Sequence, residues 1–248
     1  MNVRGGGGGR RGQWRQIGQD GEWKGTNAVV GFDGTIYASH SNGKLFGIDP
    51  NSGQWRQVGS SAGWKTRLMF ALGNMLCLIE QSGTMWAVDP NTGNHQQVGK
   101  DGEWANIDCG DWTKENIYCH STQGTLWAFS PQGGWRQLGS SNSWKTKQLF
   151  AGRGLVAFEQ DGSMFRIDTS SGQHQAIGRT QHQVITGVGM HGHVYAHFSD
   201  GGVWDLDIES AQWQPVGDAK TWKSQAFLTT GDNLITLEER GTFFELYI

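Results

Sequence analysis

The chain has 248 residues, and its 20 basic and 23 acidic side chains leave a net charge of −3. This balance gives no electrostatic reason to expect a nucleic acid or an anionic membrane surface as a partner. No stretch approaches the roughly 18 apolar residues that a membrane-spanning helix needs, so we expect no membrane insertion. With 39 Gly, 13 Trp and 4 Pro, the composition is typical of an all-β protein with many turns.

The chain begins with a Gly- and Arg-rich segment, MNVRGGGGGRRG, over residues 1–12. It has no apolar segment of the secretory type. Consecutive glycines cannot repay the entropy of ordering, so we predict a flexible tail. Its arginines resemble an RNA-binding RGG segment only weakly, and a solvated leader is the favoured interpretation. The remainder, 13–248, is predicted to form a single domain.

Three cysteines, Cys77, Cys109 and Cys119, fall inside predicted strands. Their number is odd and they lack C-x-x-C spacing, and a free cysteine in a strand behaves as a small buried hydrophobe. The pattern favours a reducing interior. Because no signal peptide is seen, the expected localisation is cytoplasmic or non-classically secreted.

The first predicted element of the domain is a short strand over 13–18, QWRQIG, and this strand recurs along the chain. The later copies lie at 54–59, 94–99, 134–139, 173–178 and 212–217. The second residue of each copy, which we call the marker residue, is in turn Trp14, Trp55, His95, Trp135, His174 and Trp213. Regular spacing of about 40 residues identifies a tandem repeat across nearly the whole chain.

Each marker strand is followed by a polar loop that ends, in five units, in a tryptophan before an apolar strand. These loop tryptophans are Trp23, Trp64, Trp104, Trp144 and Trp222, and the fifth unit has Gln183 instead. A lysine follows in four units, namely Lys24, Lys65, Lys145 and Lys223. Two further apolar runs and a DPNSG-type loop then lead into the next marker strand. Four short strands joined by tight turns are typical of a propeller blade.

The positions of the chain ends predict how the ring closes. We label the strands of a blade a to d outward from the axis, so that the marker strand is strand d. The first copy, at 13–18, precedes every strand a, and the chain stops at Ile248 directly after strand c of the sixth unit. We therefore predict an all-β, six-bladed β-propeller of four-stranded blades. Its sixth blade is closed by the N-terminal strand, which removes open sheet edges.

A second repeated position ends strand b of every unit. It is occupied by His40, Glu80, His120, Glu159, His197 and Glu238, so imidazole and carboxylate alternate around the ring. Because successive strands reverse direction, this position shares one side of the disc with the loop tryptophans. Units two, four and six also share a Trp-Lys-Thr/Ser loop, which indicates paired blades and a larger repeat of about 80 residues.

Two interpretations of this side of the disc stay open. In the first, the loop tryptophans belong to the core and the His/Glu residues hydrogen-bond between neighbouring blades. In the second, both sets face a ligand. No metal site is expected, because adjacent blades hold the His and Glu side chains too far apart to converge on one ion. The marker tryptophans are expected to cover hydrophobic surface between blades.

Nearly every distinctive residue is repeated with the fold, whereas an enzyme carries a single-copy constellation. There is no G-x-S-x-G, P-loop or H-E-x-x-H motif, so we expect neither catalysis nor a cofactor. A repeated aromatic ring with a cation and polar partners suits sugars, whose C–H faces lie on rings and whose hydroxyls bind polar groups. The predicted sugar-binding residues are Trp23, Trp64, Trp104, Trp144, Trp222, Lys65, Lys145, Lys223, His40, Glu80, His120, Glu159, His197 and Glu238.

The unit over 58–80 resembles the repeats of tachylectin-2-like and tectonin-type β-propeller lectins. Those units have a similar Trp-containing loop, an apolar strand rich in Phe and Leu, and a second strand matched here by 36–38 and 117–119. Tachylectin-2-like proteins have five blades and tectonins six. The resemblance implies a multivalent lectin or agglutinin that recognises glycans, N-acetylated or methylated sugars among them, between blades in defence or self-recognition. The alternative is a non-enzymatic propeller scaffold for protein–protein interaction or assembly. The sequence leaves the sugar and the oligomeric state open.

Overall fold

The computed structural model describes residues 11–217 and 221–248. Over these residues, 24 strands form six antiparallel sheets of four strands each, arranged as the blades of a propeller. Within the same ranges, no helix is long and apolar enough to cross a membrane. The predicted all-β fold with six four-stranded blades is confirmed.

The strand bounds follow the repeat. Blade 1 consists of β2 (Thr26–Phe32), β3 (Thr35–His40), β4 (Leu45–Ile48) and β5 (Trp55–Gln57). Blade 2 consists of β6 (Thr66–Leu72), β7 (Met75–Glu80), β8 (Met85–Val88) and β9 (His95–Val98). Blade 3 consists of β10 (Ile107–Trp112), β11 (Ile117–Ser121), β12 (Leu126–Ser130) and β13 (Gly134–Gln137). Blade 4 consists of β14 (Thr146–Ala151), β15 (Leu155–Glu159), β16 (Ser163–Ile167) and β17 (His174–Arg179). Blade 5 consists of β18 (Val184–Met190), β19 (His193–Phe198), β20 (Val203–Asp207) and β21 (Gln212–Pro215). Blade 6 consists of β22 (Ser224–Thr230), β23 (Asn233–Glu238), β24 (Phe243–Leu246) and β1 (Trp14–Ile17).

The two ends of the chain meet in blade 6, as the sequence predicts. Strand β1 pairs antiparallel with β24, with Ile17 opposite Phe243. The Arg15 guanidinium forms an ion pair with Glu245 at 2.6 Å across this junction. Residues 1–10 of the predicted tail lie outside the described residues, and the Gly12 amide donates to the Tyr247 carbonyl. The N-terminal strand thus closes the ring.

The core lies between blades rather than within one. One buried cluster, for example, joins Ile17, Leu237 and Phe243 of blade 6 to Ile36 and Ile48 of blade 1. Each blade is too thin to bury apolar side chains alone, so packing against its neighbours stabilises the ring. The inner strands approach each other closely at glycines: a Cβ on Gly189 of blade 5 would collide with the Ala151 carbonyl of blade 4.

Every pairing between strands a and b contains an irregularity near the start of strand a. In blade 3, Ile107 lies opposite Ser121 while Cys109 lies opposite His120, so Asp108 is an extra residue. The same shift occurs in the other five blades. At such a bulge two residues of one strand oppose a single residue of its partner.

The six inner strands surround a central channel with a volume of about 220 Å³. Its lining is mostly apolar and backbone, with Asp111 of β10 as an acidic exception. The Asp111 carboxylate accepts hydrogen bonds from the amides of Ala151, at 2.7 Å, and Trp112, at 2.9 Å. Burial raises the pKa of Asp111 to about 7, although these amides and that of Gly189 favour the charged form.

Candidate functional site

The polar loops and the b–c turns lie on the same side of the ring, because backbone hydrogen bonds join them in every blade. In blade 2 the Gln81 amide donates to the Lys65 carbonyl at 2.9 Å, and in blade 6 the Glu239 amide donates to the Lys223 carbonyl at 2.9 Å. Blades 1, 3, 4 and 5 have the equivalent bond. The predicted loop and His/Glu positions therefore share one side.

The three glutamates of the His/Glu position cap the loops of their own blades. Glu80, Glu159 and Glu238 accept hydrogen bonds from the backbone amides of Lys65, Lys145 and Lys223 at 2.9, 2.6 and 3.0 Å. Glu159 and Glu238 also accept bonds from the hydroxyls of Thr146 and Ser224. Desolvation raises the pKa of Glu80, although the Lys65 amide and charge act against it. The three lysine side chains are exposed.

Two of the three histidines connect neighbouring blades. The Nε2 atoms of His120 and His197 lie 3.1 and 2.9 Å from the carbonyls of Trp144 and Trp222 in the following blade. This is the inter-blade hydrogen bond of the first interpretation. His40 differs, because its Nε2 lies 2.9 Å from the Lys24 carbonyl of its own blade. The registers give the reason. His40, Glu80, Glu159 and Glu238 lie opposite the first residue of strand a, a place that Ser121 and Phe198 take in blades 3 and 5. His120 and His197 lie one residue earlier in strand b, so the predicted alternation of His and Glu at one repeat position is wrong.

The Asp108 carboxylate lies 2.7 Å from Nδ1 of His120. Burial favours neutral His120, but the hydrogen bond and charge of Asp108 outweigh it, with smaller contributions from Trp144 and Glu159, so the pKa of His120 is raised. His197 has no such partner, and desolvation lowers its pKa.

Four of the five loop tryptophans lie in the core. Trp23, Trp64 and Trp144 are buried and Trp104 is 0 % exposed, whereas Trp222 is half-buried. Their indole faces are covered, so the four buried rings are not open to a stacking sugar. The Nε1 atoms of Trp23, Trp104 and Trp144 have no hydrogen-bond partner among the described residues.

The marker residues cover these buried indoles from outside. In five blades the marker ring lies against the loop tryptophan of its own blade. The pairs, with distances between ring centroids, are Trp55–Trp23 at 6.2 Å, His95–Trp64 at 5.1 Å, Trp135–Trp104 at 4.2 Å, His174–Trp144 at 4.9 Å and Trp14–Trp222 at 6.4 Å. In blade 5, which lacks a loop tryptophan, Trp213 packs on Phe198 instead. Trp14 and Trp55 remain 54 % and 52 % exposed, so the most exposed indoles lie at the marker position rather than among the loop tryptophans.

Blade 6 has an open pocket with a volume of about 280 Å³ that contains three of the predicted residues. Trp222, Lys223 and Glu238 line it together with Trp14, Thr221, Arg240 and Phe244. Trp14 lies edge-on to Phe244 at 5.1 Å, and the Arg240 guanidinium lies 5.4 Å from the centre of the Phe244 ring. The pocket brings together the loop tryptophan, lysine and glutamate of the sequence prediction and adds the exposed indole of Trp14.

Blade 3 has a similar pocket, with a volume of about 290 Å³, on its outer strands. Trp127 and Trp135 supply the rings, and Glu103, Asn106, Ser121 and Gln123 supply polar groups. The Trp135 indole N–H donates to the Glu103 carboxylate at 2.9 Å. In blade 1, Trp55 donates to Glu22 in the same way at 2.8 Å. The D-G-E-W loops of units one and three therefore fix the marker ring through their glutamate, a role that their shared sequence signals.

A third pocket, with a volume of about 380 Å³, lies between blades 4 and 5. It is lined by Lys147, Glu159, Asp161 and Gln183 among other residues, and no tryptophan contributes to it. Gln183 stands where the other units have a loop tryptophan, so this pocket is polar where those of blades 3 and 6 are aromatic.

No protein-family model matches the sequence, and a search of curated proteins found no match. Solved structures do share the fold. One described as YCF48 bound to D1 peptide is 15 % identical with a TM-score of 0.65, over 90 % of this chain and 77 % of that one. BamB from Moraxella catarrhalis is 13 % identical with a TM-score of 0.56, over 90 % and 85 %. Virginiamycin B lyase from Staphylococcus aureus is 8 % identical with a TM-score of 0.61, over 95 % and 99 %. At these identities the likeness shows the propeller fold alone.

Proposed function

We propose that this protein is a multivalent lectin whose sugar sites are centred on the exposed marker tryptophans. The observation that carries the proposal is the blade 6 pocket. There the half-exposed indole of Trp14 lies beside Trp222, and Lys223, Glu238 and Arg240 surround the rings with charged groups. A pyranose needs such a combination of a flat apolar surface and charged hydrogen-bonding groups at its edge.

Each group in blade 6 has a distinct role in this proposal. The C–H face of the sugar lies on Trp14. The ammonium of Lys223 and the guanidinium of Arg240 donate to ring hydroxyls. Glu238 already accepts bonds from the Lys223 amide and the Ser224 hydroxyl, at 3.0 and 3.1 Å, and its oxygens have lone pairs left for a sugar hydroxyl.

Equivalent sites in blades 3 and 1 make the protein multivalent. Trp135 and Trp127 take the part of Trp14 in blade 3, with Asn106 and Gln123 as amide partners. In blade 1 the exposed ring is Trp55. Sites this shallow bind weakly one by one, but several on one rigid disc gain about 10²- to 10⁴-fold on a multivalent surface.

The proposed ligand class and mode of action follow from the same arrangement. Repetition of the site residues with the fold favours binding over catalysis, so the protein is proposed not to be an enzyme. The resemblance to tachylectin-2-like and tectonin-type propellers favours glycans that carry N-acetylated or methylated sugars. No cofactor is required for such binding.

A protein-binding scaffold is the second candidate, and one comparison favours it. A structurally similar propeller was solved with a bound peptide, as its description states. A scaffold of this kind uses its surface without any response to sugars. Its exposed rings would then belong to a protein interface, in which aromatic residues are enriched.

Glycan-array binding and red-cell agglutination distinguish the two candidates. The lectin proposal predicts array signals and agglutination that a free monosaccharide inhibits. It predicts that Trp14→Ala with Trp55→Ala, which leaves only the blade 3 site, weakens the array signal and abolishes agglutination. His174→Ala is the matched control, because it alters an exposed marker position that carries no indole. A silent array together with unchanged behaviour of the double variant refutes the proposal and leaves the scaffold.

A further inference from the structure

Three metal-binding side chains meet on strands β10 and β11 of blade 3. One donor atom from each of Asp108, Cys109 and His120 lies within 4.8 Å of the other two. The closest pair is Asp108 Oδ1 and His120 Nδ1, at 2.7 Å. Among the described residues, no other group of three or more His, Cys, Asp or Glu side chains brings its donor atoms this close together.

The bulge of strand β10 brings them together. In a regular strand Asp108 and Cys109 would point to opposite faces. Here Asp108 is the extra residue, so both it and Cys109 oppose His120 of β11. No metal site was expected because His and Glu residues on adjacent blades lie too far apart to bind one ion. These three donors instead come from two strands of the same blade.

The combination is specific to blade 3 although the bulge is repeated. The residue pairs that take the places of Asp108 and Cys109 in the other blades are Asn27–Ala28, Arg67–Leu68, Lys147–Gln148, Ile185–Thr186 and Gln225–Ala226. None of these pairs offers a carboxylate or a thiolate. Blade 5 is a natural comparison, because His197 occupies the place of His120 and its Nδ1 is buried with no partner among the described residues.

The hydrogen bond on the far side of the imidazole prepares His120 for a metal. Its Nε2 lies 3.1 Å from the Trp144 carbonyl, which can only accept, so Nε2 carries the hydrogen. The 2.7 Å contact between Nδ1 and the Asp108 carboxylate requires a hydrogen between these two atoms, so in the metal-free chain Nδ1 donates to Asp108, and a bound metal ion takes the place of that hydrogen. Metal-binding histidines are oriented in this way, with the second ring nitrogen donating to a carbonyl or carboxylate.

The cluster is largely buried but can be reached by an ion from solvent. His120 and Cys109 are buried, and the side chain of Asp108 is 40 % exposed, which leaves a route from solvent. Arg67 of blade 2 is held by the carbonyls of Trp104 and Ile107. It offsets part of the negative charge that a bound thiolate and carboxylate bring together.

We propose that Asp108, Cys109 and His120 form a site for one divalent transition-metal ion of the zinc type, independent of the proposed sugar sites. One nitrogen, one sulfur and one oxygen ligand suit Zn²⁺, which binds such atoms at about 2.0–2.3 Å in tetrahedral geometry. On binding, the Cys109 thiol and the Nδ1–H group of His120 each release a proton to solvent, and the thiolate sulfur and the Nδ1 lone pair become ligands. A water molecule entering beside Asp108 fills the fourth position.

Cobalt substitution tests the site with a signal that a surface histidine does not give. The full-length chain, free of any histidine tag and stripped with a chelator, is titrated with Co²⁺ and then with Zn²⁺. The proposal predicts one equivalent of Co²⁺ with a thiolate-to-cobalt charge-transfer band and tetrahedral d–d bands, both removed when Zn²⁺ displaces it. Absence of the charge-transfer band, or its persistence in Cys109→Ser, overturns the proposal.

Variants separate ligation from folding. Asp108→Asn retains the half-exposed position and is expected to weaken Zn²⁺ binding at least about ten-fold, since even loss of a group behind a ligand costs about 10–100-fold. Cys77→Ser alters another buried cysteine outside the cluster and is expected to leave the cobalt band unchanged. Circular dichroism establishes that each variant is folded. Equal Zn²⁺ affinity of native protein and Asp108→Asn contradicts the assignment.

Discussion

Because strand β1 closes the ring, we predict that Ile17 contributes strongly to the free energy of unfolding, although it lies near the chain terminus. Its side chain is 1 % exposed and packs in the cluster that joins blades 6 and 1. Ile17→Ala removes three buried carbon atoms, worth about 2.4 kcal/mol at roughly 0.8 kcal/mol each. A residual cavity adds to this, so we expect a loss of about 3–4 kcal/mol.

Equilibrium unfolding in urea, followed by tryptophan fluorescence and by circular dichroism, measures this loss. Two matched variants accompany Ile17→Ala. Ile17→Val is expected to cost about 0.5–1.5 kcal/mol, and Gln16→Ala, an exposed neighbour on the same strand, is expected to stay within about 0.5 kcal/mol of the native protein. If Ile17→Ala costs no more than Gln16→Ala, β1 does not carry the closure and the reasoning is refuted.

Two further predictions concern the inner strands. Because Asp111 keeps its proton up to a pKa of about 7 in the folded chain and loses it near pH 4 when unfolded, the native state binds more protons between these values. The contribution of Asp111 to the free energy of unfolding is therefore largest at the acidic end and falls as pH rises through this window, by at most about 1.4 kcal/mol per pH unit. Urea titrations of the native protein and Asp111→Asn at several pH values should differ by this slope, and equal pH dependence of the two proteins counts against burial of this carboxyl. A Cβ at Gly189 meets the Ala151 carbonyl, whereas one at Gly154 meets nothing within 4 Å. Gly189→Ala should therefore lower the free energy of unfolding by about 1–3 kcal/mol, and Gly154→Ala should not. Equal effects in urea unfolding would show that the inner strands are not in tight contact.

The blade architecture follows from the sequence because the repeat carries it. A marker strand at regular spacing fixes the number of blades, and the spare copy before the first strand a leaves one arrangement for the ends. The pairing of Ile17 with Phe243 is the outcome. Turn residues and apolar runs are local signals, and the six units repeat them consistently enough to specify one topology.

Which tryptophan ring of each blade is exposed could not be predicted from the repeat. Trp14 and Trp222 both lie next to Gly-containing segments of the sequence. The sequence alone does not show which of the two rings covers the other. In the structure the marker ring lies outside the loop tryptophan, with ring centroids 6.4 Å apart. This order is set by packing between strands that are distant in sequence, so no single repeat position reveals it.

The Asp108–Cys109–His120 cluster escaped detection for a different reason. Alternation along a strand assigns Asp108 and Cys109 to opposite faces, and only the bulge changes this. The bulge is repeated in every blade, but its extra residue has no common type, since it is polar in five blades and Ile185 in blade 5. The His120 bond to Trp144, by contrast, matches the inter-blade interpretation of the His/Glu position.

Calorimetric titration with N-acetylglucosamine, extended to other N-acetylated and methylated monosaccharides, tests the central proposal most directly. The account predicts weak binding at more than one site per chain, with one site lost in Trp14→Ala and another in Trp55→Ala, while His174→Ala keeps the native number. Each variant must retain the native unfolding curve for the comparison to hold. Absence of heat with every sugar, or identical site numbers in all three variants, would contradict a lectin built on the exposed marker rings.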